Sequence, residues 1–216
     1  MLKHFAFKKN LKFDTLKLMD VTSFLQENFR YIIGFHLVGI VLGFGGALMA
    51  DIFFFRFLKD RKITEEEVRT LRVFSRIIWV GLAIIVFSGL LLFLSSMEFY
   101  LNSAKFLTKM AVVGVIVVNG LVLNFAVTPK LTSINFIAKE NEDKKMHNVR
   151  SLAFASGAVS AVSWWTAFIL GVLQFSLAPF PIMFGSYLII LAVAVLVSQA
   201  VCKLFISGKI NIPDII

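Results

Sequence analysis

The run from Gly34 to Arg56, GFHLVGIVLGFGGALMADIFFFR, constrains the fold of this chain more than any other stretch. It is apolar and long enough to cross a bilayer, because about 20 residues at 1.5 Å rise span the hydrocarbon core. One ionisable side chain, that of His36, lies inside the apolar run. Residues at helical spacing share one face, and all but the histidine are small: His36, Gly39, Gly43, Gly46 and Ala50. This face predicts close packing against another helix.

Four further apolar runs predict an all-α integral membrane bundle of five spans. The spans cover about residues 31–50, 75–97, 105–128, 151–176 and 182–205. The composition agrees, since 58% of the residues are hydrophobic, against about 45–50% in soluble domains. Residues 1–30 indicate a basic segment that is amphipathic or disordered, and 206–216 a short tail. The capping-box pattern of Thr64 and Glu67 predicts that a helix begins at Glu65 and runs into the second span.

The net charge of +9 is typical of basic residues that flank membrane spans and face lipid phosphates, so it does not indicate a nucleic-acid partner. With the N-terminus outside, fourteen lysines and arginines lie inside and eight outside. The sequence therefore predicts an outer N-terminus, an inner C-terminus and a bacterial inner-membrane location. The single cysteine, Cys202, excludes an intramolecular disulfide. No Gly-rich phosphate loop, HExxH or GxSxG motif indicates an enzyme class.

Polar groups from different spans recur at one depth. Because the spans alternate in direction, His36, Lys109 and Gln174 fall in the same half of the bilayer, and we expect them to line one cavity near the outer face. A lysine at the membrane centre costs about 2.5–3.5 kcal/mol, so such groups often mark sites. The structural alternatives are a Lys109 that snorkels to the interface and a His36 hydrogen-bonded to a neighbouring helix. The functional alternatives for His36 are that it binds a haem or a metal ion, or that it transfers protons or contacts a quinone.

Two further patterns concern helix contacts. Small hydroxylated residues share a face of the fourth span: Ser156, Ser160 and Ser163. They predict tight helix packing, with a polar pathway as the alternative. Asp51 closes the first span and Arg76 opens the membrane part of the second, which predicts an ion pair that fixes the helix ends.

Three local features resemble the CopD and HemJ group of small bacterial membrane proteins, which handle copper and take part in haem biosynthesis, respectively. They are the early histidine with its small-residue face and following arginine (His36 to Arg56), the KFLTKMA segment around Lys109, and the NFAVTPKL exit of the third span. The likeness covers roughly residues 31–131. It implies a helical bundle with a histidine-linked haem or metal site, in which His36 is the ligand and Lys109 its neighbour.

The chain also departs from that group. One histidine lies within a span, so a haem would need Lys109, Met110, water or a second subunit as its other ligand. No Met/His cluster of the kind expected for Cu(I) is present. Three functional hypotheses follow: a haem- or redox-linked protein with Gln174 orienting the bound group, a small-solute permease, and a structural or assembly subunit that binds a second copy or a membrane partner.

Overall fold

The structure, a computed structural model, describes residues 20–58, 63–133 and 144–206. Within these ranges the regular elements are helices, and five of them are long and apolar enough to cross a membrane. We name them, in chain order, α1 (Phe29–Phe57), α2 (Glu65–Ser95), α3 (Ala104–Val122), α4 (Lys144–Val172) and α5 (Phe180–Ile206). The predicted all-α, five-span class is confirmed, and the architecture is consistent with a multi-pass integral membrane protein.

The first two helices extend beyond the predicted spans. Residues 20–27 are also helical, and α1 continues to Phe57 rather than ending near residue 50. The capping box is confirmed: Thr64 N donates to Glu67 Oε2 at 2.8 Å, and Glu67 N donates to Thr64 Oγ1 at 3.3 Å. As predicted, α2 begins at Glu65 and runs unbroken to Ser95. Residues 1–19 of the predicted N-terminal segment, and 207–216 of the predicted tail, lie outside the described residues.

Turns and prolines determine where several of the last three spans begin or end. A π-helical turn (Leu123–Val127) and a 3₁₀ turn (Thr128–Ser133) continue α3, and Pro129 lies in the second turn, where the apolar span Ala104–Lys130 ends. Thr128 Oγ1 donates to Leu123 O at 2.8 Å and so satisfies a carbonyl of the wide turn. Helix α4 ends at Val172, four residues before the predicted limit. Helix α5 begins at Phe180, because Pro181 fits in a first turn, where its missing N–H is not needed.

The closest helix contact joins α1 to α2 through glycines. A Cβ atom added at Gly81 of α2 would lie 2.3 Å from the backbone N of Gly43 and 2.8 Å from the carbonyl O of Gly39. Gly46 packs on Ile78 in the same way: a Cβ atom added at Gly46 would lie 3.0 Å from Ile78 Cγ1. Only glycine allows the two backbones to touch here, so the predicted small-residue face lies in the α1–α2 interface.

Polar side chains join the other neighbouring helices. Asn119 Nδ2 of α3 donates to Ser156 O of α4 at 3.0 Å. Ser163 Oγ of α4 and Tyr187 OH of α5 lie 2.8 Å apart. The side chain of Trp164 reaches from α4 to α1: a Cβ added at Gly43 would lie 2.6 Å from its Cη2 atom. Helix α4 therefore packs on α1, α3 and α5, and most of α5 is left exposed for lipid.

Candidate functional site

His36 faces the inside of the bundle, with 9% of its surface exposed. Its Nδ1 atom lies 2.8 Å from Ser88 Oγ of α2. Ser88 donates its own hydrogen to Ile84 O at 2.5 Å, so its oxygen is left to accept from His36. This assigns the proton to Nδ1 and makes Nε2 an acceptor. The inter-helix hydrogen bond is the structural role that the sequence left open for this histidine.

A narrow cavity of about 30 Å³ lies beside His36. We call it the middle cavity; Lys109 lines it together with apolar residues, among them Leu82, Ile116 and Trp164. Cofactor pockets usually measure about 300–1,000 Å³, so the space next to His36 does not fit a haem within one chain. The residues that the structure describes also contain no group of three or more His, Cys, Asp or Glu side chains placed to hold a metal ion.

A wide cavity of about 940 Å³ opens at the end of the bundle where α1 begins. We call it the vestibule; its polar walls include Glu98, Lys105, Lys109 and Gln174. Lys105 Nζ donates to Leu173 O at 2.6 Å, just beyond the end of α4. The vestibule thus carries charges of both signs. Gln174 lies in the link after α4 instead of in a span, because that helix ends at Val172.

Tyr100 is the vestibule residue whose protonation the structure most affects outside the spans. Burial raises the pKa of its phenol above the ordinary value. Its ring packs on Phe106 with the ring centroids 5.0 Å apart. The group therefore stays a neutral hydroxyl at physiological pH and adds no charge to the vestibule.

The three residues that were expected to line one cavity line two different cavities instead. His36 and Lys109 line the middle cavity, whereas Lys109 and Gln174 line the vestibule. Lys109 therefore belongs to both walls and lies between the other two residues. The depth of the residues along the spans does not determine which of them share a cavity.

A third cavity, of about 130 Å³, lies at the opposite end of the bundle. We call it the Asp51 cavity; α1, α2, α3 and α4 all contribute to its wall. Its polar lining residues are Asp51, Ser75, Asn119, Thr128 and Ser160. The π-helical turn of α3 forms part of it, and such turns often occur at functional sites.

Asp51 lines this cavity, and the structure has no ion pair between it and Arg76. Among the described residues an ion pair of 3.5 Å joins Arg69 to Glu66, and none joins Asp51 to Arg76, which is exposed. The reason is the length of α1: the helix continues for six residues after Asp51, so the carboxylate is inside the helix rather than at its end. The helical spacing contained this signal, because Ala47 and Phe54, on the same face, are inward-facing.

The serine face of α4 is divided between helix contacts and a cavity wall. Ser156 and Ser163 are buried in contacts with α3 and α5, which is the packing role. Ser160 instead lines the Asp51 cavity. One helix face therefore combines packing positions with a polar position on a cavity wall.

The three cavities follow one another through the bundle and share walls. Lys109 separates the vestibule from the middle cavity. Three apolar side chains separate the middle cavity from the Asp51 cavity: Leu82, Ile116 and Trp164. Along α1, the fifteen residues from His36 to Asp51 correspond to about 22 Å, most of the thickness of a hydrocarbon core.

Comparison of the chain with protein-family models, with curated proteins and with solved structures finds no match. The fold and the site together define a small five-span helical bundle, consistent with an integral membrane protein, with polar cavities at both ends. Its function is inferred from this geometry.

Proposed function

We propose that the protein is a small membrane carrier that moves a compact charged solute along the axis of its helix bundle. The observation that carries the proposal is the row of three cavities with shared walls, from the vestibule through the middle cavity to the Asp51 cavity. A bundle that served only as a packing scaffold has no need of polar groups facing internal space at both ends.

The distribution of charge supports a solute that is itself charged. Ionisable groups inside a membrane are costly and usually face a cavity that uses them. Here Lys109 lines the vestibule side and Asp51 the opposite side, with an apolar constriction of Leu82, Ile116 and Trp164 between them. Apolar constrictions are a common way to gate the passage of ions and solutes. With the predicted outer N-terminus, the vestibule faces outward.

The carrier hypothesis replaces the haem- or redox-linked one as the first choice. The cavity of about 30 Å³ beside His36 and the bond to Ser88 support a packing role for that residue. No step of the proposed function passes through a haem or a copper ion.

Uptake into proteoliposomes tests the proposal. Tetramethylammonium and methanesulfonate are compact and permanently charged, so neither crosses lipid unaided. We expect one of the two labelled probes to enter vesicles containing the full chain at least tenfold faster than empty vesicles. Ile116→Phe fills the constriction and is expected to slow uptake at least tenfold. The control Val118→Phe, on the same helix but 61% exposed, is expected to leave uptake unchanged. If each probe enters vesicles that contain the protein no faster than it enters empty vesicles, the carrier function is overturned.

A further inference from the structure

We infer that the Asp51 cavity is a binding site for a compact organic monocation, held with the Asp51 carboxylate as counter-ion and in competition with a proton. This inference rests on the proposed carrier function and deepens it by naming the class of solute. It depends on the chemistry of one cavity wall, on the size of the space and on the number of groups there that titrate.

The wall of this cavity offers negative charge and hydrogen-bond acceptors. In the described part of the chain, no hydrogen bond or ion pair reaches the Asp51 carboxylate. Asn119 uses its Nδ2 atom to reach Ser156 O, which leaves its amide oxygen as an acceptor. No lysine, arginine or histidine is among the described residues that line the cavity. An ionised carboxylate in such surroundings is stabilised only by a positive partner, which the described part of the wall does not supply.

Aromatic rings form a second element of cation recognition. Trp79 of α2, Trp164 of α4 and Phe54 of α1 all line the same cavity as Asp51. Their π faces attract an alkylammonium group, and tryptophan does so most strongly. An anion would meet the carboxylate and these electron-rich aromatic side chains at once. The cavity wall therefore selects the sign of the charge.

The volume sets the size of the solute. The Asp51 cavity measures about 130 Å³, and an apolar protein cavity of roughly 150 Å³ holds a benzene molecule. A cation of about five or six non-hydrogen atoms matches this space. Tetramethylammonium has this size, and tert-butanol is a neutral molecule of nearly the same shape.

Among the residues that the structure describes, one titratable group faces the cavity. The described lining residues from α2, α3 and α4 are apolar, aromatic, amide or hydroxyl side chains, so Asp51 of α1 is the single carboxylate. Its oxygen either binds a proton as a neutral O–H or carries the charge that balances the cation. Binding of one cation therefore releases at most one proton, and lower pH weakens binding. On opposite sides of a membrane, this competition exchanges one cation for one proton.

Equilibrium binding to the purified full chain in detergent tests the site. We expect wild type to bind tetramethylammonium at least tenfold more tightly than tert-butanol, with the affinity for the cation falling at acid pH. Asp51→Asn is nearly isosteric and is expected to lose at least tenfold in cation affinity while its affinity for tert-butanol is unchanged. Trp79→Leu is a second variant, and we expect it to lower the affinity for tetramethylammonium more than the affinity for tert-butanol.

The outcomes separate the two proposals. If Asp51→Asn, folded as judged by elution and circular dichroism, binds tetramethylammonium as wild type does, the cation site is overturned. Equal affinity of wild type for the cation and the alcohol overturns it as well. If Asp51→Asn does not fold, the same criterion applies to Trp79→Leu. Cation binding with the expected Asp51 dependence but without uptake into vesicles overturns the carrier function and leaves the site standing.

Discussion

At the scale of single residues, His36 and Asp51 show how differently two ionisable groups on one helix are treated. Both face the inside of the bundle from α1. His36 has a partner in Ser88 at 2.8 Å, whereas the Asp51 carboxylate faces a cavity. A satisfied group contributes to stability, while an ionised group without a protein partner lowers it and is retained where a ligand uses it. We therefore assign stability to the first residue and binding to the second.

The bond between His36 and Ser88 predicts a measurable coupling. Hydrogen bonds between membrane helices contribute about 0.6 kcal/mol on average and up to about 1.7. We expect a double-mutant cycle of His36→Ala and Ser88→Ala, measured by unfolding in detergent, to give a coupling free energy in this range. Ser198→Ala is the control partner, because within the described residues Ser198 Oγ donates to Val195 O of its own helix. A coupling of zero between His36 and Ser88 would contradict the assigned bond.

At the scale of elements, much of the fold could be predicted because it depends on local patterns. Apolar runs of membrane length predicted the five helices, and Thr64 and Glu67 predicted where α2 begins. Glycines at steps of three and four predicted a packing face. The π-helical turn at Leu123–Val127 was not predicted, because it depends on hydrogen-bond geometry. The continuation of α1 to Phe57 was not predicted, because Asp51 was interpreted as the end of the first span.

The contact between α1 and α2 predicts that Gly81 tolerates no side chain. Gly81→Ala would place its Cβ 2.3 Å from Gly43 N, so the helices must move apart. We expect a loss of about 1–3 kcal/mol in the free energy of unfolding, the usual cost of overpacking. Gly114→Ala is the matched control, since nothing lies within 4 Å of a Cβ there. Equal stability of the two variants in thermal unfolding would contradict the close packing.

The capping box of α2 predicts a local effect. Thr64→Ala removes the side chain that accepts from Glu67 N, and we expect a loss of about 1 kcal/mol. Hydrogen exchange should become faster at the backbone amides of the first turn and stay unchanged near Ile85. Unchanged exchange at Glu67 and Val68 would show that the cap contributes nothing.

At the scale of the whole molecule, the row of cavities could not be predicted from the sequence. The polar residues that line it were visible, but which residues share a wall depends on how four helices cross. Lys109 was expected near His36 from its depth, whereas its position between two cavities depends on the ends of α3 and α4. The place of Asp51 on a cavity wall was not predicted either, because it depends on the continuation of α1 past that residue.

The orientation in the membrane stays a prediction, and labelling can test it. In a Cys202→Ser background, Asn102→Cys and Thr64→Cys place single thiols in links at opposite ends of the bundle. With the N-terminus outside, a membrane-impermeant maleimide should label the Asn102 variant in intact cells, and the Thr64 variant only after permeabilisation. The reverse pattern would invert the topology and leave the cavities unchanged.

The most direct measurement of the central claim is the reactivity of a thiol inside the Asp51 cavity. Ser160→Cys in the Cys202→Ser background, reconstituted in vesicles of known orientation, is treated from each side with an impermeant trimethylammonium methanethiosulfonate. A route through the bundle predicts reaction from the vestibule side as well as from the opposite side, slowed by tetramethylammonium. Ile169→Cys, at a residue of α4 with 52% of its surface exposed outside the cavity, should not react. Reaction of the Ser160 variant from one side only, or not at all, would contradict the account.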